Sequence, residues 1–189
     1  MNPLFNAKGE QLPPRPELTD EMKKAGALKA VKSGHLSRVD EDDAEQFSSD
    51  VAKHHYDGID AYDLAKKMET DSGWDVDSMF VDDMEQVDSC IREVLRNAIN
   101  DWARVYEPVP PFELGTELQV YSFSTNIHGG VIDGICEHTP ATYLVKMYDR
   151  AEDDKSRRLV SFEDAKLRAL NVGDVEGEAL EACMKRLEA

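Results

Sequence analysis

Residues 77–106 read DSMFVDDMEQVDSCIREVLRNAINDWARVY, and the placing of their apolar side chains decides the first half of the fold. Phe80, Met84, Val87, Ile91, Val94 or Leu95, Ala98, Trp102 and Val105 follow one another at gaps of three and four. That spacing lays them along one side of an α-helix. About eight turns, at about 1.5 Å per residue, make a helix roughly 45 Å long. Its other side carries Asp82, Asp83, Glu85, Asp88, Glu93 and Asp101. Such a helix cannot bury its apolar side alone, so the preceding helices or a second copy of the chain must cover it. Pro108, Pro110 and Pro111 then stop it and form a stiff link, because proline lacks the backbone donor and fixes φ.

Upstream, residues 1–36 read as an N-terminal tail with a short helix. Gln11-Leu12-Pro13-Pro14-Arg15-Pro16 excludes both helix and central strand. Thr19 or Asp20 can cap a helix from Glu21 to Lys32 that stops at Ser33-Gly34. This segment is basic and weakly apolar, so it is expected to order only on docking. Residues 37–107 form an acidic helical domain. Within it, Asp40 to Tyr56 reads as a helix with acids in the first turn, where the helix dipole favours them. Ile59 to Met68 reads as another, with Ile59, Tyr62, Ala65 and Met68 along one side, ending near Ser72-Gly73.

After the proline link, 108–114, the period changes to two. Glu117 to Phe123 alternates, with Leu118 and Val120 facing one way. His128-Gly129-Gly130 reads as a turn, Val131 to Cys136 as a second strand, Thr142 to Tyr148 as a third and Arg157 to Phe162 as a fourth. Asp149 to Ser156 is a polar hairpin loop. Glu163-Asp164 is expected to cap a helical turn through Leu170, and Val175 to Leu187 to form a closing amphipathic helix. The fold class is therefore α+β. A helical region with one long amphipathic helix is followed, over residues 115–189, by a small antiparallel β-barrel and a C-terminal helix.

The stretches Gly115-Thr116-Glu117-Leu118-Gln119-Val120, Gly130-Val131-Ile132-Asp133-Gly134-Ile135, Tyr143-Leu144-Val145-Lys146 and Leu159-Val160-Ser161-Phe162-Glu163-Asp164 resemble an SH3-like small barrel. The resemblance spans roughly residues 114–165, and its cadence is common in small phage and prophage accessory proteins. It implies a fold and such an origin, not a function.

The 189 residues carry 39 acidic and 22 basic side chains, a formal net charge of -17. The excess is uneven: residues 37–113 hold 21 acids and seven bases, net -14, whereas residues 1–36 are net +2 and 114–189 net -5. A surface of this sign repels nucleic acid and anionic membranes and attracts basic surfaces. No apolar run is long enough to span a bilayer, and Met1-Asn2-Pro3-Leu4-Phe5 lacks the pattern of a secretory signal. Cys90, Cys136 and Cys183 are scattered and unpaired in sequence, which fits a reducing compartment. A cytoplasmic protein is expected, in the host cytoplasm if the chain is phage-encoded.

Candidate chemistry is sparse. His54-His55, with Asp50 and Asp57 nearby, suits a divalent metal, but adjacent helical positions diverge, and two solvent-facing histidines at a helix C-terminus are the simpler expectation. Cys136 and His138 invite a nucleophile–base reading without an evident third group. Asp42-Asp43, Asp82-Asp83 and Asp153-Asp154 lack any accompanying phosphate cradle or oxyanion motif. Asp71-Ser72-Gly73-Trp74-Asp75-Val76-Asp77 approaches a calcium loop, but its twelfth position is Asp82 rather than glutamate. No enzyme, cofactor or metal is expected.

The expectation is a non-enzymatic acidic binding protein whose carboxylates imitate a nucleic-acid backbone. Asp40, Glu41, Asp42, Asp43, Asp82, Asp83 and Glu85 would meet the basic surface of a nucleic-acid-binding complex, with Trp74 as a packing anchor. A phage-encoded inhibitor of a bacterial defence complex, of anti-CRISPR or anti-restriction type, fits that description. One alternative is a structural or adaptor protein, a homodimer paired through Met84, Ile91, Ala98 and Trp102. Another is a small-barrel nucleic-acid module using Arg150, Lys155, Arg157 and Arg158 beside Tyr148. The net charge argues against the last, so direct nucleic-acid binding is not expected.

Overall fold

The computed structural model describes residues 2–34, 36–121, 127–151 and 153–168. The chain divides into a helical unit, Pro14–Glu107, and a β unit that joins Met1–Pro13 to the chain from Pro108 onward. The helical unit is thus an insertion, and the chain enters and leaves it beside prolines. This differs from the division read in the sequence. The first 36 residues are no single tail, because they supply part of both units.

The helical unit contains α1 (Asp20–Lys32), α2 (Ala44–His54), α3 (Ala61–Ser72) and α4 (Ser78–Tyr106). Side-chain caps start three of them: Thr19 accepts from the Met22 amide, Asp60 from Asp63 and Asp77 from Phe80. The helix expected from Asp40 instead begins as a 3-10 turn, Glu41–Asp43, and becomes α-helical at Ala44. Phe80, Met84, Val87 and Ile91 of α4 are fully buried, and Trp102 is buried as well. The preceding helices therefore cover the N-terminal part of the stripe, whereas Val94, Leu95 and Ala98 are half-buried and Val105, expected on the same face, is exposed.

Helix α1 makes the closest approach. A Cβ on Gly26 would stand 2.6 Å from both Cα and Cγ1 of Ile91, so the two backbones nearly touch. Ala27 and Ala30 flank the crossing and are buried. The Arg15 guanidinium lies 5.7 Å from the Trp102 ring centroid, and Asp83 binds the Ser37 amide. Contacts thus advance in opposite senses along the two segments, and residues 15–37 run antiparallel to α4. Phe47 of α2 meets the rings of Trp74 and Phe80 edge-on, at 5.3 and 6.4 Å.

In the β unit, β1 (Glu117–Tyr121), β2 (Ile127–Ile135), β3 (Thr142–Met147), β4 (Arg158–Ser161) and β5 (Lys166–Leu167) form one curled antiparallel sheet in the order β4-β3-β2-β1-β5. Leu118, Val120, Ile132, Tyr143 and Val145 are buried in it, with the Phe162 ring tilted against Tyr143 at 4.5 Å between centroids. The N-terminal residues complete the unit. Leu12 donates to the Leu4 carbonyl, Val109 to Phe5, and Asn2 reaches the carbonyls of Glu163 and Ala165. The proline link is anchored too: the Phe112 amide donates to the Tyr143 hydroxyl, which donates back to the Phe112 carbonyl.

Two expectations are corrected here. His128-Gly129-Gly130 is strand, not turn, because the glycines admit neighbours rather than a bend. A Cβ on Gly130 would meet the Lys146 carbonyl at 2.7 Å, and one on Gly129 the Tyr148 ring at 2.8 Å. After β4 the chain makes a 3-10 turn, Phe162–Asp164, and then pairs as β5 with β1, so the helical turn expected through Leu170 does not start there. The C-terminal helix expected over Val175–Leu187 lies outside the described residues.

Two substitutions test these contacts. Gly26→Ala should gain up to about 1 kcal/mol of helix propensity, yet urea unfolding should show a net loss of about 1–2 kcal/mol from overpacking against Ile91. Tyr143→Phe should cost about 1–3 kcal/mol, with faster hydrogen exchange at the Phe112 amide.

Candidate functional site

The acids singled out by the sequence fall into two groups. Asp40, Glu41, Asp42 and Asp43 are all exposed, as are Asp82 and Glu85 on α4. None of these side chains takes part in an ion pair or side-chain hydrogen bond among the described residues. Asp83 is different. It is 3 % exposed, and its carboxylate accepts from the amides of Ser37 at 2.9 Å and Arg38 at 2.8 Å. It therefore belongs to the framework and cannot meet a partner.

That clamp arranges the exposed acids. It fixes residues 37–38 against the first turns of α4, and the Arg38 guanidinium pairs with Asp77 just before that helix. Asp40 follows two residues later, within about 7 Å of Arg38 along the chain. The Glu41–Asp43 turn is thereby held at the end of the unit where α4 presents Asp82 and Glu85. These two lie about 4.5 Å apart along the helix axis. The Arg38 hydrogen bond, reinforced by the amide of Phe80, holds the Asp77 carboxyl below the usual carboxylate range.

The remaining acids of α4 are engaged. Asp88 binds both His55 and Arg92, Glu93 pairs with Lys29, and Asp101 with Arg104. The long acidic side expected from the sequence is consequently not a continuous free array. Its unpaired part is confined to the N-terminal turns.

Trp74, expected as an anchor for a partner, is half-buried between Phe47 and Phe80, and its indole N–H donates to Asp50 at 3.0 Å. Asp50 is itself buried. Burial pushes its carboxyl upward, but hydrogen bonds from Gln46, Trp74 and Ser72, with the charge of His54, outweigh that and leave it below its ordinary 3.8. The two histidines are also inside, contrary to the solvent-facing pair expected. His54 Nε2 is 3.1 Å from Ser72 Oγ, and His55 Nε2 is 3.1 Å from Asp88. The reason is that His54 ends α2 facing Ser72 of α3, whereas His55 is the C-cap, where the backbone turns extended and carries its ring to Asp88 of α4.

The other candidates are not assembled into a site. Cys136 is a half-buried free thiol and His138 is exposed. No group of three or more histidine, cysteine, aspartate or glutamate side chains placed to hold a metal occurs among the described residues. Asp71, first residue of the loop compared with a calcium site, lies 3.7 Å from His54. Met84, Ile91 and Trp102, considered as a dimer seam, are covered by their own chain. Among the described residues no helix is long and apolar enough to cross a membrane. Comparison with protein-family models, curated proteins and solved structures finds no match to this chain.

The framework acids give two measurable consequences. Asp83→Ala should destabilise the helical unit by about 2–3 kcal/mol, whereas Asp82→Ala should change stability by less than about 0.5 kcal/mol. Because the Asp50 carboxyl is depressed in the folded state, its stabilising contribution is complete above pH 3.8 and is lost as pH falls through its lower folded value. Acid titration of Trp74 emission should therefore show a transition that Asp50→Asn removes.

Proposed function

We propose that this protein is a non-enzymatic acidic binding protein that occupies a basic, nucleic-acid-binding surface of a bacterial defence complex. The single observation behind this reading is the unpaired state of the exposed carboxylates at one end of the helical unit. Among the described residues Asp40, Glu41, Asp42, Asp43, Asp82 and Glu85 have no ion-pair partner, whereas Asp88, Glu93 and Asp101 of α4 do and Asp83 is taken up by backbone amides. A chain that neutralises most of a helix and leaves one end bare retains charge for an external partner. Lysine and arginine grooves that grip phosphates are surfaces of the matching sign. CRISPR effector complexes hold nucleic acid in such a positively charged channel, and an inhibitor of anti-CRISPR or anti-restriction type, phage-encoded, would occupy a groove of that sign.

The β unit is read as an SH3-like small barrel, in keeping with its phage-type cadence. Its strand order, the 3-10 turn between β4 and β5, and the return of β5 to β1 support this. In this reading it serves as a scaffold that receives the helical insertion.

The test reverses Asp40, Glu41, Asp42, Asp43, Asp82 and Glu85 to lysine while keeping Asp83, so that the clamp survives. The purified variant and the parent are each used to capture partners from bacterial lysate at low salt. The parent should retain a nucleic-acid-binding complex, and the variant should lose it by at least about tenfold, with unchanged circular dichroism. Equal capture by a folded variant would refute the reading.

A further inference from the structure

The proline link after α4 is fastened to the β unit at two points. The Val109 amide donates to the Phe5 carbonyl at 2.9 Å. Further along, the Phe112 amide donates to the Tyr143 hydroxyl at 2.8 Å, and that hydroxyl donates back to the Phe112 carbonyl at 3.0 Å. Tyr143 is fully buried, so the second anchor belongs to the core of the unit. Between the anchors the backbone has little freedom. Each proline fixes its own φ at about −65°. Val109 and Pro110, both followed by proline, are driven to extended or polyproline II geometry. The chain then bends at Pro111 and Phe112.

The pinned segment turns apolar groups outward. Val109 is 41 % exposed, and Phe5, whose carbonyl holds it, is 44 % exposed. Pro111 is exposed as well. Among the described residues the carbonyls of Val109, Pro110 and Pro111 accept no hydrogen bond. Glu113, exposed just past the second anchor, has no ion-pair partner among them either.

From this geometry we infer that residues 109–111 are a docking motif for the aromatic-lined, proline-reading groove of another protein. Addition of a strand is ruled out, because Pro110 and Pro111 have no N–H to give and that of Val109 is spent on Phe5. A proline-reading groove asks for something else. It packs aromatic side chains against proline rings and their apolar neighbours, and its polar donors meet backbone carbonyls left bare by the extended chain. Residues 109–111 present both. Anchoring at either end lowers the ordering cost that a free proline-rich segment would meet on binding. The unpaired Glu113 favours a groove with a cation on its rim.

The motif belongs to the β unit and is independent of the bare acids, so its test is separate. Amide resonances of the full, isotope-labelled chain are followed by NMR as a purified WW domain is added, and in a second series as a purified SH3 domain is added. At least one of the two should shift Val109, Phe112 and Glu113 saturably. Pro110→Ala with Pro111→Ala should weaken that binding by at least about tenfold. Val109→Asp, which keeps every proline, should weaken it in the same sense, whereas Asp42→Lys with Asp43→Lys should leave it unchanged. Absence of shifts with both domains at millimolar concentration would overturn the proposal. So would undiminished binding by a proline or Val109 variant whose spectrum remains that of the folded protein, which would leave the prolines as a spacer.

Discussion

The helical unit depends on the place where α1 crosses α4 with no side chain between Gly26 and the backbone of Ile91. Close approach of two helices removes water from both apolar stripes and gains dispersion contact that larger residues would hold apart. Once α1 is seated, residues 15–37 are committed antiparallel to α4, from Arg15 at Trp102 to Ser37 at Asp83. The segment after α1 then arrives at the start of α4 with its amides facing a buried carboxylate. Position of the Asp40–Asp43 turn is a downstream result of that crossing.

Buried acids and free acids consequently do different work. Asp83, Asp50 and Asp88 hold backbone amides, an indole and a histidine, and each would leave a donor unsatisfied if removed. Such groups specify how the helices meet. The bare acids at Asp40–Asp43, Asp82 and Glu85 contribute nothing comparable to folding, and their mutual repulsion opposes it. Retaining them beside one another on a rigid frame is intelligible if they meet a partner of opposite sign.

Much of this frame is legible in the residues themselves. The 3–4 spacing from Phe80 to Trp102 fixes α4, and the Thr19 cap and Ser33-Gly34 stop bound α1 closely. Alternation at Leu118 and Val120, and again from Thr142 to Met147, marks strands where the sheet has them. What escapes is information carried by tertiary contact. Asp82 and Asp83 are identical in local sequence, and only the fold decides which one faces the amides of Ser37 and Arg38. His54 and His55 look like surface residues because a histidine gives no hint that Ser72 and Asp88 wait across two helices. Gly129-Gly130 carries a turn signal, yet the glycines serve close packing. Residues 2–13 give no local sign that they belong with strands more than a hundred positions away, since pairing of Phe5 with Val109 is a long-range event.

On the proposed reading, bare carboxylates on the helical unit, and not its apolar surface, hold the partner. The most direct measurement is the affinity of the isolated complex between this protein and its captured target across a range of salt concentrations, with and without competing duplex DNA. An electrostatic decoy predicts affinity that falls steeply and linearly on a log–log plot as salt rises, and displacement by DNA. Affinity indifferent to both salt and DNA would contradict the account.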